Sequence, residues 1–114
     1  MGKSRDELTR AIPVLNQNPR AKEMMAAMPK TVKFDLKGED KPFFVVVEGG
    51  ALSLKDTAGK PDIIVSGDST EVAKVVSRQR EITHPIAEGK IWVSAGKLSQ
   101  MIVFDRVLAF QKRQ

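Results

Sequence analysis

The side chains that carry most enzyme and metal chemistry are scarce in this sequence and poorly spaced for it. The 114 residues include no cysteine and one histidine, His84, so thiolate nucleophiles and the usual Cys/His zinc sites have no ligands. Glu39 with Asp40, and Asp56 with Asp62, stand in or beside predicted turns, where carboxylates are ordinarily solvated. Catalysis needs a nucleophile and base, or paired carboxylates, together in a cleft. The sequence therefore predicts no enzyme, no metal site and no cofactor.

The net charge of +5 raises the question of a nucleic-acid partner. The positive excess is divided between the two ends of the chain, residues 1–33 and 82–114, whereas residues 34–81 are slightly acidic. The chain has no tyrosine and a single tryptophan, so the aromatic platforms of single-strand binders are missing. We therefore expect no nucleic-acid partner and interpret the charge as a solvated surface that attracts anionic membranes weakly.

Length and terminal sequences predict one domain in the cytoplasm. A chain of 114 residues has the size of one domain. The first ten residues contain acidic side chains and no apolar core, unlike a secretory signal, and no segment approaches the ~20 apolar residues that span a bilayer. Residues 111–114 differ from the Ser-Lys-Leu peroxisomal address.

Two helices are expected at the N-terminus. Ser4 and Glu7 have the spacing of a capping box, which predicts a helix that starts at Ser4. Pro13 should kink or stop this helix, because proline lacks an amide hydrogen and clashes with the preceding turn. Asn18, which precedes a proline, is a suitable cap for a second helix that extends to Met28.

From residue 30 the apolar period changes from helical to two, which is typical of half-buried strands. Three short strands joined by tight turns predict an antiparallel meander, and a fourth strand follows at 63–65. Asp68 and Ser69 cap a third helix, a fifth strand lies at 91–93, and residues 98–110 form a terminal helix that is apolar on nearly all sides. This order predicts an α+β fold with a five-stranded, mainly antiparallel sheet and helices packed on one face.

Three segments together match a family pattern: TVKFDLKGEDKPFFVVVEGG, PDIIVSGDSTEVAKVV and GKIWVSAGKLSQMI. They resemble the first hairpin, the Asp-led strand with its capped helix, and the Gly-Lys strand with the terminal helix of the sterol-carrier-protein (non-specific lipid-transfer) family. The resemblance implies one such domain over residues 1–114, with N-terminal helices in 1–29, a sheet with an inserted helix in 30–96 and the terminal helix in 97–114.

The resemblance further implies a non-catalytic lipid-binding and lipid-transfer protein without a cofactor. Its ligand would be a fatty acid, a fatty acyl thioester, a sterol or a similar apolar molecule, held in an internal cavity between sheet and helices. The residues expected to line the cavity are apolar, with one charged exception: Met24, Met25, Met28, Phe34, Phe43, Val45, Leu54, Val76, Ile91, Met101, Ile102, Phe104, Asp105 and Leu108. The sequence does not separate a cavity lining from an ordinary core at these positions.

Several alternatives stay open. Asp105 lies on the apolar side of the terminal helix, where it either anchors a polar group of the ligand or reaches water or a basic side chain. His84 stands either at the cavity mouth or on the surface, and Trp92 is expected on the exposed sheet face. The alternative function is an interaction or dimerisation module that supports a lipid-modifying enzyme, with little or no ligand cavity. A homodimer is compatible with either function.

Overall fold

The computed structural model describes residues 3–111. In this part of the chain the helices are α1 (Lys3–Asn16), α2 (Pro19–Met25), α3 (Ser69–Val76), α4 (Thr83–Ala87) and α5 (Leu98–Leu108), and a 3₁₀ turn spans Ala109–Gln111. The strands are β1 (Thr31–Lys37), β2 (Phe43–Glu48), β3 (Ala51–Lys55), β4 (Ile63–Asp68) and β5 (Ile91–Ala95).

The sheet has the strand order β3-β2-β1-β4-β5 and is mainly antiparallel, as predicted. The one parallel pair among the described strands joins β1 to β4, and it sets Phe34 beside Val65. Val32, Phe34 and Leu36 alternate in β1 with exposed or half-buried polar side chains, because successive side chains point to opposite faces of a strand. The buried face packs against the helices, and the other face carries Trp92, which is 50% exposed as expected.

Helix α1 continues through Pro13 to Asn16. The prediction that Pro13 stops the helix is therefore wrong. Leu8 and Leu15, on either side of the proline, are both fully buried, whereas Pro13 itself is exposed. Burial of this stripe at about 1.5–3 kcal/mol per large apolar side chain outweighs one lost backbone hydrogen bond.

The caps of the shorter helices follow the sequence signals more closely. Asn18 Oδ1 accepts a hydrogen bond from the Ala21 amide at 3.0 Å, although α2 ends at Met25 rather than Met28. Asp68 Oδ1 accepts a hydrogen bond from the Thr70 amide at 2.9 Å and begins α3. Helix α4 has no side-chain cap, and no sequence signal predicted it.

An apolar core fills the space between the sheet and the helices. The Phe34 ring stacks on Phe43 with centroids 5.1 Å apart and meets Phe104 of α5 at 6.0 Å with an interplanar angle of 56°. All three side chains are fully buried. These contacts connect the meander directly to the terminal helix.

Candidate functional site

The residues predicted to line a cavity lie together in the layer between sheet and helices. Ten of the fourteen are buried: Met25, Met28, Phe34, Phe43, Val45, Val76, Ile91, Met101, Phe104 and Leu108. The other four, Met24, Leu54, Ile102 and Asp105, are half-buried. The thirteen apolar members belong to one contiguous hydrophobic cluster, so the structure unites residues that are up to 84 positions apart in the sequence.

Three surface clefts of the described residues are lined mainly by charged and polar side chains. The largest, about 680 Å³, lies between the loop that follows α3, the start of α4 and the end of α5. Its lining residues are Arg78, Gln79, Arg80, Glu81, His84 and Ala109. We call it the α3–α5 cleft. None of the residues predicted to line a cavity contributes to these three clefts, and His84 is exposed beside the largest one.

Asp105 forms an ion pair at the edge of the α3–α5 cleft. Its Oδ1 accepts a hydrogen bond from Nη1 of Arg78 at 2.7 Å, and both side chains are only 14% exposed. Such pairing compensates for the cost of removing a carboxylate from water. Sequence spacing did not identify Arg78 as the partner, because the two residues lie in different elements.

A second ion-pair cluster connects α3 to the end of α4. Arg80 donates to Glu71 at 2.9 Å and to both oxygens of Glu88 at 3.0 and 2.8 Å. Burial raises the pKa of Glu71, but the Arg80 hydrogen bond and the charges of Lys74 and Lys90 lower it by more, and the net pKa lies below the ordinary 4.5. The same Arg80 bonds lower the pKa of Glu88 to about 2 and raise that of the guanidinium. Arg80, Glu71 and Glu88 therefore stay charged across the physiological pH range.

Glu39 is not a solvated turn carboxylate, and that expectation is wrong. Its Oε2 accepts hydrogen bonds from the hydroxyls of Ser4 at 2.5 Å and Ser69 at 2.8 Å, and from the Arg5 amide at 3.3 Å. Ser4 therefore does not act as the predicted cap with Glu7, since α1 already includes Lys3. A carboxylate beside the first turns of α1 and α3 complements both helix dipoles. Ser4 and Ser69 are 0% and 3% exposed, so their hydroxyls have a structural role.

Residues 3–111 contain neither a membrane-spanning helix nor a cluster of metal ligands. The helices found there are all too short or too polar to pass through a bilayer. Within the same range, no three metal-ligating side chains of the His, Cys, Asp and Glu types cluster around a common point.

Solved structures share this arrangement of helices and sheet. A UbiJ-SCP2 ubiquinone synthesis protein superposes with a TM-score of 0.72 at 19% identity, over 90% of this chain and 85% of that one. Sterol carrier protein 2 from Yarrowia lipolytica, in its apo form, gives 0.68 at 14% identity, over 96% and 90%. Sterol carrier protein 2 from Aedes aegypti, in complex with the C16 fatty acid palmitate, gives 0.65 at 14% identity, over 96% and 97%. At these identities the likeness shows a common fold.

Sequence comparison establishes the family. The search of curated proteins found no match. The model of the SCP-2 sterol transfer family, however, matches residues 10–99, a range that extends from α1 to the start of α5 and includes the complete sheet. The chain therefore belongs to the SCP-2 sterol transfer family.

Proposed function

We propose that this protein binds a fatty acid, a fatty acyl thioester, a sterol or a similar apolar ligand between the sheet and the helices, and transfers it unchanged. The observation that carries the proposal is the methionine content of that layer. Met24 is half-buried and Met25 buried in α2, Met28 is buried just after it, and Met101 is buried in α5, a helix that contacts α2. Flexible thioether side chains rearrange more easily than branched ones. Methionines between the sheet and the helices therefore suit a layer that binds and releases apolar ligands.

Transfer without catalysis agrees with the roles of the polar side chains. The carboxylates of Glu39, Glu71 and Asp105 each accept hydrogen bonds from neighbouring side chains, and His84 is exposed. These arrangements hold elements of the fold together and leave none of these carboxylates free for catalysis. We further propose that the carrier acts in the cytoplasm, and that its net charge of +5 attracts anionic membranes weakly.

Ligand binding is tested by titrating delipidated, folded protein with a fluorescent C16 fatty acid and displacing it with unlabelled acids of increasing length and with a sterol. Each added methylene contributes at most ~0.8 kcal/mol, or up to about fourfold in affinity. We expect saturable 1:1 binding that strengthens with chain length. Absence of saturable binding for every chain length and for the sterol would refute the carrier function.

A pair of variants on α5 tests the location of the ligand. Met101→Phe enlarges a side chain that is 1% exposed, whereas Leu98→Phe changes one that is 47% exposed on the same helix. If the ligand lies in the layer, the first variant weakens binding several-fold, because overpacking removes adaptable space, and the second leaves it unchanged. Equal affinities would place the ligand elsewhere.

One observation favours a second candidate function, an interaction or dimerisation module that supports a lipid-modifying enzyme. The predicted lining residues fill the layer with contacts to one another, as in the stack of Phe34 on Phe43 and Phe104. Trp92, half exposed on the uncovered sheet face, is then the candidate contact residue. Sedimentation of the delipidated protein, together with the lipid titration, distinguishes the two functions. A wild-type dimer that the Trp92→Ala substitution dissociates, in a protein that binds no lipid, would favour the interaction module.

A further inference from the structure

Arg78 has a backbone conformation that is unusual for its residue type. It follows the end of α3 with φ = +68°, and it is the one non-glycine residue with positive φ among residues 3–111. The amides of Arg78 and Gln79 donate to the carbonyls of Val75 and Lys74, which is the Schellman pattern that normally places glycine at this position. A side chain there costs roughly 1 kcal/mol. An arginine at this position is therefore best explained by what its side chain binds.

The Arg78 side chain lies where the α3–α5 cleft meets the apolar layer. It lines the cleft and pairs with Asp105 at 2.7 Å. On α5, Asp105 comes four residues after Met101 and three before Leu108, so the three share one face of the helix. Met101 and Leu108 are 1% and 0% exposed. The ion pair thus lies between the polar surface cleft and the layer in which we propose that the ligand is held.

The Arg78 guanidinium has N–H donors that its two hydrogen bonds do not use. Its hydrogen bonds to Val75 and Asp105 both use Nη1, whereas a guanidinium carries five N–H groups in a planar fork that fits a carboxylate. Arg80, the other arginine of the cleft, is different, because both of its Nη atoms bind glutamates. Of the two, Arg78 is the one placed to accept a further anion.

We propose that Arg78 binds the carboxylate of a fatty-acid ligand, and that Asp105 is its partner when no ligand is bound. The acyl chain enters the methionine-containing layer beside α5, and the carboxylate displaces Asp105 from Arg78 in the α3–α5 cleft. This inference rests on the proposed lipid-binding function and specifies its headgroup: an acid is preferred over an alcohol with the same chain.

The experiment compares dodecanoate with dodecanol, which share a chain length and differ in charge, on delipidated full-length protein. Arg78→Gly should retain the fold, because glycine suits the left-handed position. It should weaken dodecanoate binding about tenfold, the value of one partly exposed charge-assisted hydrogen bond, without an effect on dodecanol. Arg78→Lys should restore part of the preference for the acid. Asp105→Asn should strengthen dodecanoate binding several-fold, because it removes the competing carboxylate.

Arg106→Ala is the matched control, since it removes the same charge from an exposed position next to Asp105 and should change neither affinity by more than about twofold. Equal losses for acid and alcohol in Arg78→Gly, or none, would overturn the role of Arg78 while leaving the carrier function intact. Weaker dodecanoate binding by Asp105→Asn would identify Asp105 as the anchor instead. Wild-type protein that binds neither probe would overturn the role of Arg78, and the carrier function would fall with it only if the longer acids and the sterol also failed to bind.

Discussion

Phe104 joins the terminal helix to the sheet, and replacing it with alanine measures how much of the fold depends on that contact. The side chain is fully buried and its ring lies 6.0 Å from that of Phe34. Phe34 is itself held by the stack on Phe43 at 5.1 Å, so the sheet cannot easily move into the vacated space. Phe104→Ala should therefore lower the free energy of unfolding by the full ~3–5 kcal/mol typical of buried aromatic residues. The contact between the Phe104 and Phe34 rings accounts for ~0.5–1.5 kcal/mol of this loss.

A loss of this size is a large part of the total stability. A domain of 114 residues has a free energy of unfolding of about 6–17 kcal/mol. At about 4 °C per kcal/mol, the Tm should fall by about 12–20 °C. Urea unfolding followed by circular dichroism gives the free energy directly, and an unchanged m-value would show that the variant unfolds from an equally compact state.

Phe44→Ala is the matched control, because Phe44 adjoins Phe43 on β2 but is half-buried on the uncovered face of the sheet. It should lose no more than about 1.5 kcal/mol, since solvent or neighbouring side chains can occupy the vacated space. If Phe104→Ala proved no more destabilising than Phe44→Ala, the packing of α5 on the sheet would be weaker than these contacts imply, and the reasoning would be wrong.

Three further predictions concern polar and backbone contacts. Arg80→Ala leaves Glu71 buried without its strongest hydrogen bond, so the folded-state pKa of Glu71 rises. A lowered folded-state pKa stabilises the fold above pH ~4.5, and this stabilisation is lost as the pH falls through the folded-state pKa. In a pH titration of unfolding, the midpoint of acid unfolding should therefore move to higher pH. Gly67→Ala should cost ~3 kcal/mol or more in denaturant unfolding, since φ is +135° and a Cβ would overlap the Lys90 carbonyl oxygen. Asn16→Ala removes hydrogen bonds of 2.8 and 3.0 Å to the edge strand β3 and should lower the free energy of unfolding by about 1–2 kcal/mol.

Local sequence signals predicted the elements well where the signal and its partner lie in one element. Alternation in β1 identified its buried face, and Asn18 and Asp68 cap the helices that they precede. Helix α1 does not stop at Pro13, because the local penalty is smaller than the burial along α1, which depends on elements elsewhere in the chain.

By itself, the sequence determined the α+β class, the five strands, the family resemblance and the apolar residues that form one layer, because apolar periodicity records which side of each element is buried. Only the tertiary structure decided which polar groups meet. Glu39 joins Ser4 and Ser69 across 35 and 30 positions, and Arg78 meets Asp105 across 27. Such pairs depend on how α1, α3 and α5 cross one another, and that geometry follows from packing of the whole core rather than from any local spacing.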